Sequence, residues 1–372
     1  MKDRPRVLLL SGTSLVGRNV LECLAGRRAS LELATTTSAP DEPAAFDFDA
    51  AYLVPEIRHE PAVFSARFRE IVAHFEPDLV IPCRDDDVSF LAQERTRLPA
   101  TTRRLLCGDA AVADAMLDKS ESACFSKANR LPFVPTLSSN GDFDAARRFA
   151  AEHGFPLIGK PRRGYASHGV RIILDAPQLE RVCGQPDYVI QQYLGSVDPI
   201  HRLVADWASG GMPLFHTAEQ RKLSVQALIG PDGAVKGIFC SENTMRFGRS
   251  ERVRVIDESG VMAAAGQWAT AVAGAGWRGP LNIQCHRDSR GELTIFEYNG
   301  RFTGATAARR LLGFDEVGRT LHDWLGLELP EATRSPASEV VRYSVSRASE
   351  PARAERLKHD GYWDVNEGRP RI

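Results

Sequence analysis

The chain has 372 residues, more than one ordinary core holds, so two or three domains are expected. Its 43% hydrophobic and 26% charged content is globular, and a net charge of −1 supplies no basic face, which argues against nucleic acid as a main partner. Cys23, Cys83, Cys107, Cys124, Cys183, Cys240 and Cys285 are scattered without zinc or redox spacing, as expected of reduced thiols in a cytoplasm.

The apolar run Val7–Leu10 reads as a first buried strand, too short for a signal peptide or a membrane span. Ser11–Gly17 and a helical pattern over Val16–Leu24 follow, so a parallel α/β unit begins here. The glycines suit a tight turn; their spacing is neither that of a dinucleotide fingerprint nor that of a P-loop. Short strands are expected at Leu31–Thr36 and Ala51–Val54, an amphipathic helix at Ala62–His74, and a buried strand at Pro77–Pro82. That last strand delivers Arg84 and Asp85 at its carboxyl end, where open α/β sheets collect ligands. The alternative for this segment is a capped helix that starts at Asp86 or Asp87.

Helices are predicted at Ala110–Leu117 and from Asp118-Lys119-Ser120 to about Asn129, then at Phe143–His153 with Gly154 as its C-terminal cap. Phe155–Pro161 is a strand carrying Lys160. The polar loop Arg162–Gly169 and the strand Val170–Leu174 complete a hairpin whose loop amides could face an anion. A lysine inside such a strand needs a counter-charge, which a triphosphate would supply. Tyr188–Leu194 is an apolar strand able to offer main-chain groups to a flat heterocycle. Ser196–Gln220 reads as irregular.

Gln226–Gly230 and Val235–Cys240 flank an Asp-Gly turn. Arg246, Arg249, Arg252 and Arg254 then form either a solvated face or a patch that neutralises phosphate or an acidic substrate. A long helix has its body in Gly260–Ala275. The strand Gly279–Cys285 and the strand Leu293–Tyr298 pair as a hairpin. Glu297 and Asn299 are two apart and point to one side, as hard oxygen ligands of the kind Mg²⁺ accepts. Gln284 lies across the hairpin from them. Arg301 adds a bidentate cation suited to phosphate or carboxylate. Thr306–Leu312 and Val317–Leu325 close as helices, Pro330–Pro336 is a polar linker, Val340–Ser346 alternates like a strand, and Arg353–Ile372 carries no readable signal.

Taken in order, Leu117-Asp118-Lys119, Phe155–Val170, Tyr188–Gly195, Ser224–Val235, Gly279–Gln284 and Phe296–Thr306 resemble the ATP-grasp superfamily, in its carbamoyl-phosphate-synthetase-like branch of carboxylate–amine ligases. The resemblance covers roughly residues 110–325. It implies an α/β chain, α+β in its lobes: a parallel-sheet pre-ATP-grasp domain over 1–109, a small lobe with the phosphate loop over 110–194, a large lobe with the metal site over 195–328, and an extension over 329–372. It implies ATP and Mg²⁺, small-molecule carboxylate and amine substrates, no membrane or nucleic-acid partner, and a homodimer. Carried over, Lys119 and Lys160 would contact the phosphates, and Gly164, Tyr165, Ala166 and Ser167 would belong to the closing loop. Gln191, Gln192, Tyr193 and Leu194 would hold adenine, mainly by main chain. Gln284, Glu297 and Asn299 would hold the metal, and Arg301 would steady the transferred phosphoryl. A ribose-binding Glu has no clear counterpart: Asp198 and Glu219 are alternatives, and Lys222 stands where a Glu is expected. Gln284 replaces the Asp or Glu of many members, so one Mg²⁺ is expected rather than two. The implied reaction converts a carboxylate into an acyl phosphate that an amine attacks; the other possibilities are an enzyme working through carboxyphosphate or phosphoryl transfer, and a nucleotide-binding module without turnover.

Overall fold

The computed structural model describes residues 4–98, 104–164, 168–211, 221–246, 248–343 and 345–366. The first part of the chain runs β1 (Arg6–Leu10), α1 (Leu15–Leu24), β2 (Glu32–Thr37), β3 (Ala50–Leu53), α2 (Pro61–Phe75), β4 (Leu79–Pro82) and α3 (Asp85–Glu94). β1 lies between β2 and β4, and β3 pairs outside β2, all in parallel. Alternate residues of β1 enter different cores. Val7 and Leu9 pack with Val16, Val20 and Leu24 of α1, whereas Leu8 and Leu10 join Phe64, Phe68 and Phe75 of α2. This is why the strand reads as a continuous apolar run: both faces are covered. The tight turn after β1 is enforced by crowding. A Cβ on Gly17 would lie 2.0 Å from the Gly12 carbonyl oxygen, so the turn and the first turn of α1 can only meet at glycine.

Next come α4 (Ala110–Leu117), α5 (Lys119–Ala128), β5 (Thr136–Ser138), α6 (Phe143–His153), β6 (Leu157–Pro161), β7 (Arg171–Ile173), α7 (Ala176–Cys183) and β8 (Tyr188–Gln192). The strands form a four-stranded antiparallel sheet in the order β5-β8-β6-β7. One face, with Leu157, Ile173 and Ile190, buries against Ala146 of α6 and Leu179 and Val182 of α7.

The remainder runs α8 (Asp198–Gly210), β9 (Arg221–Ile229), β10 (Val235–Arg246), β11 (Arg249–Ile256), α9 (Ser259–Gly274), β12 (Gly279–Arg287), β13 (Leu293–Asn299), α10 (Thr306–Leu311), α11 (Glu316–Leu325), β14 (Glu339–Val341), α12 (Pro351–Asp360) and β15 (Tyr362–Asp364). Six strands make an antiparallel sheet in the order β13-β12-β9-β10-β11-β14. Val225, Ala227, Leu281 and Ile283 bury against Val261, Ala265, Trp268 and Val272 of α9.

Three expectations need correction. The stretch after Ser196 is not irregular throughout: Ile200, Leu203, Val204 and Trp207 repeat at helical spacing, and Pro199 sits in the first turn of α8. Residues 212–220 lie outside the described residues. The strand expected over Val340–Ser346 is only Glu339–Val341, with Ser344 outside the described residues. The tail, which carried no signal, returns to the first sheet. β15 pairs antiparallel with β3, Trp363 meets Phe46 edge-on at 5.4 Å, and Tyr362 meets Tyr52 at 4.9 Å. A three-residue strand holds too few residues for periodicity to detect; its partner lies some 310 residues away, at Ala50–Tyr52.

Candidate functional site

Two sheets contribute the walls of a cleft. In the four-stranded sheet, Lys160 pairs with Val189 and Ile158 with Gln191, so these four side chains share the face opposite the apolar core. Gln191 is fully buried on that face. Its Nε2 donates to Thr136 Oγ1 at 3.0 Å, and its Oε1 is buried without a partner among the described residues. Lys119 is the first residue of α5, whose cap Asp118 accepts from the Ser120 amide at 2.9 Å. The Lys119 amide donates to the Arg162 carbonyl at 3.0 Å, and Arg162 Nη2 reaches Asp118 at 2.9 Å, so α5 and the start of the loop are tied together. Burial pushes the Asp118 carboxyl up, but the bonds from Arg162 and the Ser120 amide outweigh it and hold it below the usual range.

In the six-stranded sheet, register sets the opposite wall. Gln284 lies opposite both Ser224 and Glu297, and Asn282 opposite both Gln226 and Asn299. The sheet face turned from α9 therefore carries Lys222, Ser224, Gln226, Asn282, Gln284, Glu297 and Asn299. Asn282 Nδ2 bonds Ser224 Oγ at 2.8 Å and Gln226 Oε1 at 3.2 Å; Gln226 Nε2 and Asn299 Nδ2 are buried without partners among the described residues. A bulge between Gln284 and Cys285 leaves Phe296 unpaired, and its ring lies under Lys160 Nζ at 5.0 Å.

The walls are held in register with each other. Ser126 of α5 bonds the Tyr298 hydroxyl at 2.8 Å, and Val134 and Pro132 exchange backbone bonds with Ile295 at 2.7 Å each. The strand that carries Glu297 is thus the strand on which α5 rests. Asp85, Lys119, Gly164, Glu297 and Asn299 line one narrow cavity. Lys160 faces the same charges. Burial pushes its ammonium down to about 8, Glu297 opposes the shift, and Lys119 and Lys222 add to it.

Arg301 is pinned at the junction with the first domain. Its Nε and Nη2 donate to Asp85 at 2.7 and 2.9 Å, and Nη2 also reaches Asn299 Oδ1 at 2.9 Å. Burial works against its charge, but Asp85 and Glu297 outweigh it and hold the guanidinium firmly protonated. Gly300 between them has a steric reason, since a Cβ there would fall 2.2 Å from the Trp277 ring. Helix α3 begins at Asp85 with Arg84 as its cap residue, one or two residues earlier than expected; Asp87 accepts from the Arg84 amide at 2.8 Å. Arg84 pairs with Glu56 at 3.2 Å.

Lys119, Lys160, Gly164, Glu297, Asn299 and Arg301 therefore meet around one cleft, with Gln284 beside Glu297. Gln192 ends β8, and Tyr193 and Leu194 follow it out of the strand. Asp198 is exposed in the first turn of α8. Tyr165, Ala166, Ser167 and Glu219 lie outside the described residues. Arg246, Arg252 and Arg254 pair with Glu251, Glu339 and Glu242.

Solved structures share this fold over most of the chain. N5-carboxyaminoimidazole ribonucleotide synthetase from Thermus thermophilus superposes with a TM-score of 0.65 at 15% identity, covering 88% of this chain and 80% of that one. The ADP complex of N5-carboxyaminoimidazole synthetase from Staphylococcus aureus gives 0.64 at 12% identity, covering 92% and 81%. Biotin carboxylase from Campylobacter jejuni, in a β,γ-ATP complex, gives 0.63 at 15% identity, covering 87% and 72%. The chain has the ATP-grasp fold. No protein-family model and no curated protein sequence matches it.

Within the grasp cleft, two contributions escaped sequence reasoning. Lys222 was recognisable only as a basic residue in an acidic position, yet its Nζ donates to Gln284 Oε1 at 2.7 Å. Asp85, a candidate ligand contact in the sequence, lines the cavity with Lys119 and Glu297 and also holds Arg301. Its signal was present in the sequence as a carboxylate at the carboxyl end of a parallel strand, but its partner is 216 residues away.

Proposed function

We propose that this protein is an ATP-dependent carboxylate–amine ligase. What carries the reading is the meeting of two lysines from the small lobe, Lys119 and Lys160, with Glu297 of the large lobe in one cleft. The solved neighbours were crystallised with ATP, ADP and MgADP, which supports ATP and Mg²⁺ here. The donor set fits a hard divalent cation through the Glu297 carboxylate, with the Asn299 amide beside it on the same strand face, its oxygen shared with Arg301. When bound, Mg²⁺ would neutralise phosphate charge. Lys119 and Lys160 would hold the phosphates and offset the charge that grows as the γ-phosphoryl leaves. Arg301, oriented by Asp85, would steady the oxygens of the acyl phosphate while an amine attacks its carbonyl carbon and phosphate departs. Gln191, with a buried acceptor on the cleft face, would take a donor from the purine edge.

The test is ADP release from ATP and Mg²⁺ with pools of carboxylic acids and amines. Release that requires both an acid and an amine supports the reading; nucleotide binding without any turnover would replace it with a non-catalytic module. A second reading takes bicarbonate as the carboxylate, with carboxyphosphate as the activated species. It is favoured by the biotin carboxylase domain of a Hydrogenobacter thermophilus carboxylase, a neighbour that holds bicarbonate with MgADP. Bicarbonate-dependent ADP release, with no response to other acids, would select it.

A further inference from the structure

Gln284 is already engaged. Lys222 donates to its Oε1 at 2.7 Å, and the pairing of three adjacent strands sets Lys222, Gln284 and Glu297 side by side on the cleft face: Gln284 lies opposite Ser224 on β9 and opposite Glu297 on β13, and Lys222 projects two residues before Ser224. Among the described residues, no three His, Cys, Asp or Glu side chains are grouped to hold a metal ion. This strand pair offers one carboxylate, Glu297, and neutral amide oxygens; that of Gln284 accepts from the Lys222 ammonium and that of Asn299 from the Arg301 guanidinium. A second divalent cation would have to share Gln284 with Lys222, with no second carboxylate on the strands to balance it. Lys222 shares the face of Ser224 and Gln226, and its charge acts on Lys160 of the other wall.

We propose that Lys222 stands in for a second divalent cation: its ammonium, held by Gln284, contacts the terminal phosphates of the nucleotide, and the cleft takes a single metal ion centred on the Glu297 carboxylate, with the Asn299 oxygen shared between that ion and Arg301. The swap has a chemical logic. An ammonium brings one fixed positive charge and three donors, needs no carboxylate ligands, and is present before nucleotide arrives. It turns a recruited charge into a built-in one, and it makes loading less dependent on free metal.

The proposal rests on the nucleotide-binding reading of the cleft, and the experiment separates the two. The full-length protein is saturated with a non-hydrolysable β,γ-imido ATP analogue and titrated with Mn²⁺, with bound metal read by electron paramagnetic resonance. One ion per chain is expected in the wild type. The double variant Lys222→Ala, Gln284→Glu should bind two. The single variant Lys222→Met, close in shape, should lose about tenfold in affinity for the triphosphate analogue with ADP affinity little changed, and Lys222→Arg should recover most of the loss. Circular dichroism confirms that each variant is folded. Two ions in the wild type, or an unchanged preference for triphosphate over diphosphate in Lys222→Met, overturns the role of Lys222 and leaves the ligase reading standing. Failure of the wild type to bind any nucleotide overturns both.

Discussion

The two large sheets bury their faces differently. In the parallel sheet β1 is apolar on both sides, sending Val7 and Leu9 one way and Leu8 and Leu10 the other, each into hydrophobic partners, while β2 beside it ends in the buried Thr35, Thr36 and Thr37. Toward α9 the six-stranded antiparallel sheet is apolar. Its other face is divided: Leu228, Phe239 and Val253 join a hydrophobic core with Phe314, Val317 and Leu321, whereas Ser224, Gln226, Ser241, Asn243, Asn282 and Asn299 form a buried polar stretch. Burying polar groups is costly unless they are hydrogen-bonded. Asn282 bridges Ser224 and Gln226, and Ser241 bonds Asn243, but two amide nitrogens remain without partners among the described residues. Positions that could have carried valine and isoleucine are polar in the stretch that faces the cleft. The parallel sheet is filled by apolar partners on both sides of β1, and the polar stretch of the antiparallel sheet lines the cleft.

That division can be broken by substitution. The largest effect is expected from Glu297→Gln, which keeps shape but removes the only carboxylate on the polar strand pair. Turnover should fall by about a thousandfold or more while the melting temperature shifts by only a few degrees. A large loss of stability in this variant would show that the polar face is structural. The converse variant is Leu9→Ala in the parallel sheet, which should cost about 2–5 kcal/mol in urea unfolding and leave the nucleotide affinity of the folded fraction unchanged. A fall in affinity that matched the loss of stability would mean that the sheets do not divide the work.

A smaller effect sharpens the comparison at the junction of the two parts. Asp85→Asn keeps the cap region but weakens the two-point hold on Arg301. It should lower kcat by about tenfold to a hundredfold with little change in nucleotide affinity, because Arg301 is then misplaced rather than lost. An equal loss in nucleotide affinity would place Arg301 on the nucleotide instead. The smallest effect is a pH dependence. Lys160, held at about 8 chiefly by burial, is charged below that pH and neutral above it. Nucleotide affinity, measured by calorimetry across the alkaline range, should be level below about pH 8 and fall above it. In Lys160→Arg the fall should move out of the measured range, since arginine stays protonated. An unshifted alkaline limb would show that another group controls it.

Local patterns in the sequence carried much of this. The apolar run Val7–Leu10, the glycines near α1, the strand containing Lys160 and the hairpin carrying Gln284 and Glu297 all lie where the sequence places them, because each depends on neighbours within a few residues. The alternation in Leu293–Asn299 put Glu297 and Asn299 on one face, and the observed register agrees. Helix α8 was also legible, in the spacing of Ile200, Leu203, Val204 and Trp207, but its glycine-bounded, polar surroundings masked the pattern. By contrast, β15 offers no local signal at all. Three residues form a strand only because the edge of β3 is there to receive them.

By itself the sequence determined the elements and the kinds of side chain each would offer: two lysines on one lobe, oxygen ligands on the other, and an arginine just beyond. Tertiary structure alone decided which of these meet. Strand pairing across β9, β12 and β13 brought Lys222 to Gln284, and the docking of α3 against the end of β13 gave Arg301 to Asp85. The physical reason is range. Helix and strand preferences are written in steps of two to four residues, whereas the charge environment of a buried group is set by whatever the fold carries to within a few ångströms of it.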